Sequence, residues 1–293
     1  MSAQQLDARI AWSVIADPDD ALAAKVVTSL GFELGLDVIA APPNKAKNAL
    51  IAAGIEHAAA EVALDRWVPR LREVDAIQHL IDRLGITAHV SHDLLPAAPH
   101  TCLPPVIYSI GDTRLLNTTV ISTARADSPR DMDREVVEAV ITPLTLHHTI
   151  AASDQPSDVE IHRVVSAAGG SAIAVFRGGV DRVARRSDAR LFRQISEQGL
   201  ILSATPPGVD PDGSRLNAQS MLLAAVASHV LILGAERCSP AAELGKLSLR
   251  LSKPVGAVTG SALSPSTAGI ADLLNAGAQL IASPADALSF ARG

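Results

Sequence analysis

Apolar positions recur at helical spacing through residues 4–84, in segments such as DDALAAKVVTSLGFELG, KAKNALIAAGIEHAAAEVALDRW and LREVDAIQHLIDRLG. An apolar residue at every third or fourth position gives each helix one buried stripe, so this part reads as a helical module. Asp17 and Asp20 around Pro18 supply a helix start, and Gly31 or Gly35 a stop. The next segment, ITAHVSHDLLPAAPHTCLPPVIYSIGD, carries four prolines and no helical period, and reads as a connector leading into a strand near 106–109. Beyond Asn117, short aliphatic runs (TTVIST, HHTIAAS, SAIAVF, LILSA, HVLILGA, KPVGAV, AQLIAS) alternate with helical patterns (DMDREVVEAVI, DVEIHRVVSAAG, DARLFRQISEQ, LNAQSMLLAAVA, PAAELGKLSLRL, PADALSFA). That alternation predicts parallel strands with right-handed crossovers: an α/β, doubly wound, mostly parallel sheet preceded by a small helical domain. The expected border lies near residue 98, with helical module and connector over 1–98 and the sheet domain over 99–293.

Composition narrows the class. With 48% hydrophobic and 19% charged residues, the 293-residue chain can bury a large core, and disorder is excluded. Aromatics make up only 2%, so the core is aliphatic, as suits a helix-flanked parallel sheet. A net charge of −6 argues against a protein that coats nucleic acid over its whole surface, and leaves a local basic face open. Cys102 and Cys238 stand far apart, outside any CxxC or Cys/His spacing, which fits incidental thiols in a reducing compartment. The start MSAQQLDARIAW lacks the basic and apolar regions of an export signal, and apolar runs such as MLLAAVASHVLILGA fall short of a membrane span. A soluble, cytoplasmic protein is the expectation, with no membrane partner.

In an open parallel sheet, ligands bind outside the carboxyl ends of the strands. The residues there are Thr123, Arg125 and Ser128; Ser153, Asp154, Asp158 and His162; Arg177, Gly178, Gly179 and Asp181; Thr205, Pro206, Pro207 and Gly208; Glu236, Arg237 and Ser239; and Thr259, Gly260 and Ser261. Gly178 and Gly179 either let main-chain N–H groups approach a phosphate or simply make a tight turn. Neither GxGxxG nor GxxxxGK[ST] occurs, which disfavours a dinucleotide or P-loop enzyme. Arg182, Arg186, Arg190 and Arg193 are spaced so that one helix would carry them as a stripe, either against successive phosphates or as a solvated face balanced by Asp181, Asp188 and Glu197. Asp158 and His162, four apart on a predicted helix, are an acid–base pair or a structural hydrogen bond, with no nucleophile placed beside them. His147 and His148 lack further ligands at metal spacing. No cofactor and no metal are expected.

Several stretches carry a family pattern. LPPVIYSIGD is similar to a PPPVLYVRGD entry strand; Thr123, Ala124 and Arg125 stand where the pattern has Gly-Ser-Arg; Asp158 and His162 match GIDxxAH; AVFRGGVDRV matches AVLxxGxDRVYP at Gly179, Asp181 and Arg182. ATPPG, HVLILGA and STAGIADLLNAGAQLI follow SEYPPG, VVVVEA and SAGxxxLIxxGAxLV. From Leu103 onward the chain thus resembles the DNA-processing protein A family (DprA, also called Smf). Departures fall on the rim: SGxAxGID has become AASDQPSD, and the FPxRNR region reads SRLNAQS, keeping only Arg215 and Asn217 out of register. Losing glycines and cations there predicts a smaller anionic pocket.

The resemblance implies a Rossmann-like domain, a homodimer, and a non-catalytic role in binding single-stranded DNA, with a RecA-type recombinase as a further partner. Arg125, Arg177, Gly178, Gly179, Arg182, Arg185, Arg186 and Arg215 would meet phosphates; Thr123, Ser128, Asp158, His162, Asp181, Thr259 and Gly260 would line the pocket. Two alternatives stay open on the same scaffold: a nucleotide-binding sensor, and an adaptor that binds only proteins.

Overall fold

The computed structural model describes residues 3–18, 20–98, 103–126, 134–260 and 266–292. Six helices come first: α1 (Ala3–Ile15), α2 (Ala21–Leu30), α3 (Phe32–Ala40), α4 (Pro43–Ala52), α5 (His57–Arg70) and α6 (Val74–Leu84). They enclose a core around Trp12, Ile15, Val26, Ile39, Leu50 and Trp67. The two indoles meet edge-on at 5.7 Å, a favoured aromatic geometry. Asp20 caps α2 through the Leu22 and Ala23 N–H groups, accepts a hydrogen bond from Trp67 Nε1 at 3.0 Å and pairs with Arg66 at 2.8 Å. Gly31, at φ +80°, ends α2, while Gly35 lies inside α3, where a Cβ would come within 2.9 Å of the Trp12 ring.

The remaining elements are β1 (Thr87–Val90), α7 (Ser91–Leu94), β2 (Val106–Gly111), β3 (Val120–Ala124), α8 (Arg134–Thr145), β4 (Thr149–Ser153), α9 (Val159–Ala167), β5 (Ala172–Phe176), α10 (Ala189–Gln198), β6 (Leu200–Ser203), α11 (Leu216–Val226), β7 (His229–Ile232), α12 (Pro240–Arg250), β8 (Val255–Val258), α13 (Ser266–Asn275), β9 (Gln279–Ile281) and α14 (Pro284–Ala291). Nine strands form one sheet in the order β1-β2-β6-β5-β4-β3-β7-β8-β9. From β6 to β9 all neighbours are parallel; β2 runs antiparallel to β6, and β1 antiparallel to β2. Buried residues of α8, α9, α10 and α14 cover one face, and those of α11, α12 and α13 the other. This is the doubly wound, Rossmann-like arrangement that the alternating pattern predicts.

Two short elements, β1 and α7, form where the sequence reads as irregular connector. Thr87–Val90 is an edge strand registered Val90 to Val106. Its four residues grade from exposed to buried, too short a run to show a period of two. The helical module also joins the sheet's core. Ile10 and Ile81 pack in the same cluster as Tyr108 and Ile121, and the Ser13 hydroxyl lies 2.6 Å from the buried Tyr108 hydroxyl.

Candidate functional site

Two buried aspartates organise the carboxyl-end rim. Asp154, directly after β4 and 2% exposed, accepts the Arg177 main-chain N–H at 3.2 Å and the Gln219 side-chain N–H at 2.7 Å. Asp158, 3% exposed, accepts the Arg125 main-chain N–H at 3.0 Å and the Ser153 hydroxyl at 2.6 Å. Because β4 lies between β3 and β5, these carboxylates reach sideways to the first residue beyond each neighbour, and that residue is arginine both times. Main-chain N–H groups at strand ends have left the ladder, and a short charged acceptor satisfies them strongly. Burial pushes the Asp154 carboxyl up, opposed by its bonds from Gln219 and Arg177. Composition and periodicity give no signal for Asp154; its place one residue beyond β4 is the only clue the sequence offers.

The Asp158 carboxylate and the His162 ring each bond to Ser153, and the two residues meet through the main chain, the His162 N–H donating to the Asp158 carbonyl at 3.5 Å; of the two readings open in the sequence, this arrangement is the structural one. His162 is fully buried, and its Nε2 faces the Ser153 carbonyl at 3.1 Å; a carbonyl only accepts, so Nε2 carries the proton. Burial lowers the imidazole pKa to about 4, which keeps it neutral. Its ring packs edge-on against Phe192 at 5.7 Å, within the core. Thr123 is likewise interior: its hydroxyl donates to the Ala151 carbonyl at 3.3 Å, and its side chain is fully buried in β3.

Gly178 and Gly179 are turn residues pressed against a second loop. The Gly179 N–H donates to the Val209 carbonyl at 2.8 Å, so it is not free for a phosphate. A Cβ at Gly179 would come within 2.6 Å of the Pro206 carbonyl oxygen, and one at Gly178 within 2.8 Å of the Pro211 nitrogen. Asp181 ties the same two loops together by accepting the Gly208 N–H at 2.8 Å.

The arginine stripe is also corrected. Helix α10 begins at Ala189, so Arg190 and Arg193 lie on it while Arg182, Arg185 and Arg186 lie in the preceding loop and its Arg186–Asp188 turn. Glycine turns and the Asp181 tie hold 178–182 in a non-helical course. Arg182 pairs with Asp181 at 3.3 Å and Asp210 at 3.6 Å, Arg185 with Asp188 at 2.9 Å, and Arg215 with Asp17 of the helical module at 3.3 Å. Arg186 is exposed and Arg177 half-buried, and neither makes an ion pair among the described residues. Thr259 and Gly260 are exposed beyond β8, and Ser128 and Ser261 lie outside the described residues.

Crossovers diverge between β3 and β7, the expected crevice. The cleft there, lined by Ala124, Arg125, Ser153, Asp158, Leu223 and Leu244, offers about 10 Å³, on the order of one water. Ala152 and Pro156 occupy the positions of the two glycines in SGxAxGID, consistent with the predicted shrinkage. A mononucleotide does not fit this volume. A larger cavity of about 730 Å³ lies elsewhere, between α1–α2 and the antiparallel edge, lined by Trp12, Phe32, Val90 and Pro104 among others. Among the described residues there is no cluster able to hold a metal and no helix able to cross a membrane.

The fold and rim define a Rossmann-like protein with arginines at the carboxyl ends of its parallel strands. The family model for DNA recombination-mediator protein A matches residues 93–292, and the chain belongs to that family. A DprA-type sequence of Mycobacterium tuberculosis is 32% identical over 133 residues, covering 45% of this chain and 34% of that protein. Protein Smf of Synechocystis is 25% identical over 189 residues, covering 61% and 47% respectively. The chain thus spans a third to a half of the length of these relatives. The crystal structure of DNA processing protein A from Streptococcus pneumoniae superimposes with TM-score 0.70 at 19% identity, covering 96% of this chain and 95% of that one. The Helicobacter pylori protein of the same name, described for its single-stranded DNA binding mode, gives 0.58 at 19% identity over 70% and 94%. At such identity these likenesses show the fold.

Proposed function

We propose that the protein is a non-catalytic, cytoplasmic single-stranded DNA-binding protein of recombination, acting as a homodimer and delivering the strand to a RecA-type recombinase. The observation that carries this reading is the pair Asp154 and Asp158, which fix the backbones of Arg177 and Arg125 so that both side chains start from one rim. Family membership supports the class of ligand. Arg182, Arg185, Arg186 and Arg215 extend the cationic set along the β5–α10 and β6–α11 loops. The Arg182 pair leaves Asp210 83% exposed, and exposed pairs contribute no more than about 1 kcal/mol, so a polyanion with several phosphates can displace them.

Fluorescence anisotropy with a labelled thymidine oligonucleotide, at stepped salt, tests this. Replacing Arg125 and Arg177 by Ala should weaken binding similarly for every base sequence and lower the salt slope by about one for each phosphate that is no longer neutralised. Absence of measurable binding by the parent protein at low salt overturns the reading.

A further inference from the structure

Outside that pair, one cluster of charges is built rather than scattered. Asp188, between the loop and α10, has a side chain only 2% exposed, yet it is a carboxylate. Its Oδ1 accepts Arg163 Nη2 at 2.8 Å and its Oδ2 accepts Arg185 Nε at 2.9 Å. The clamp joins α9 to the loop before α10. Arg163 continues to Glu160 at 3.3 Å, which in turn meets Arg134 of α8 at 3.2 Å. Both clamped arginines remain nearly half exposed, at 48% and 46%. Arg185 uses only Nε on Asp188, so its terminal nitrogens, with four N–H donors, face solvent without a partner among the described residues. Arg186, exposed and without an ion pair among the described residues, follows directly.

A buried acid whose two oxygens are both engaged adds little attraction for other cations, but it fixes the direction of the guanidiniums it holds. We propose that Asp188 is a positioning residue for a polyanion shelf, holding Arg163 and Arg185 toward the backbone of a single strand that runs from the rim across the start of α10. This rests on the strand-binding reading above and adds Asp188 and Arg163, which that reading does not use.

The sign of one substitution separates positioning from bulk charge. Asp188→Asn removes a negative charge, so plain electrostatics requires tighter binding of a thymidine oligonucleotide and a steeper salt dependence. Positioning requires the reverse: a Kd raised about tenfold, the effect of removing one charge-assisted hydrogen bond, with an unchanged or shallower salt slope. Circular dichroism establishes that the variant is folded. Should it unfold, Arg163→Gln, which leaves Arg185 on Asp188, should still raise Kd severalfold at low salt, and hydrogen exchange over 178–188 should quicken. If Asp188→Asn binds as well as the parent or better, or if Arg163→Gln leaves Kd unchanged when the first variant is unfolded, the shelf is overturned while Arg177→Ala still reports on the rim. A parent that binds no oligonucleotide removes the strand-binding reading itself.

Discussion

At the carboxyl ends of β3 and β4, the polar side chains are buried and engaged with the main chain or each other: Asp158 with Ser153 and the Arg125 N–H, Asp154 with Gln219 and the Arg177 N–H, His162 with the Ser153 carbonyl. Beyond β5, the aspartates instead meet guanidiniums, as Asp181 and Asp210 meet Arg182 and Asp188 meets Arg185. The inner half is an anchor with a cleft of about 10 Å³; the outer half is a loop with solvent-facing charge. The same residue type therefore has different consequences. An inner aspartate holds main-chain N–H groups of neighbouring strands, whereas an outer one also holds guanidiniums, and Asp181 does both by accepting the Gly208 N–H and pairing with Arg182.

This contrast can be broken by pH first. His162 is neutral in the fold with a pKa of about 4, against an ordinary value near 6.5 in the unfolded chain. The unfolded state therefore binds the extra proton between those values. Stability should be complete above about pH 6.5 and fall as pH drops toward 4, by on the order of 3 kcal/mol from this residue. His148 and His229, also held low by burial, add to the same trend. Urea unfolding of parent and His162→Gln at several pH values checks it: the parent should lose more stability on acidification than the variant, and equal losses would assign the slope elsewhere.

A second test concerns the glycines. If Gly179 served ligand approach, Gly179→Ala would weaken binding at unchanged stability. Packing against the Pro206 carbonyl and Pro207 predicts instead a stability loss of about 1–3 kcal/mol, measured by urea or thermal unfolding. The smallest effect is expected at Arg182→Ala. Arg182 is itself 44% exposed and its partner Asp210 83%, so stability should stay within about 1 kcal/mol of the parent, while oligonucleotide affinity falls and its salt slope flattens. A large stability loss there would move Arg182 into the anchored half.

The sequence carried the sheet because fully buried parallel strands are continuous aliphatic runs and crossovers repeat a fixed rhythm. SAIAVF became β5 and HVLILGA became β7 for this reason. The helical module was legible in outline: of the start and stop residues the sequence offered, Asp20 caps α2 and Gly31 ends it, while Gly35 lies inside α3. Thr87–Val90 was not, since an edge strand is defined by its partner Val106–Gly111 rather than by its own four residues. Arginine placement failed for a related cause. Spacing of three and four implies one face only if the backbone is helical, and the ties from Asp181 and Gly179 to the 206–209 loop keep 178–182 out of a helix.

Local pattern thus settled the elements and their alternation, because those depend on which side chains avoid water along a short segment. Tertiary structure alone decided that Asp154 reaches Arg177, that Asp158 reaches Arg125, that His162 is sealed in a core and that Asp188 holds one arginine from α9 and another from the loop before α10. Each of these joins groups whose separation in space follows from strand order, and no periodicity along a single chain encodes that order.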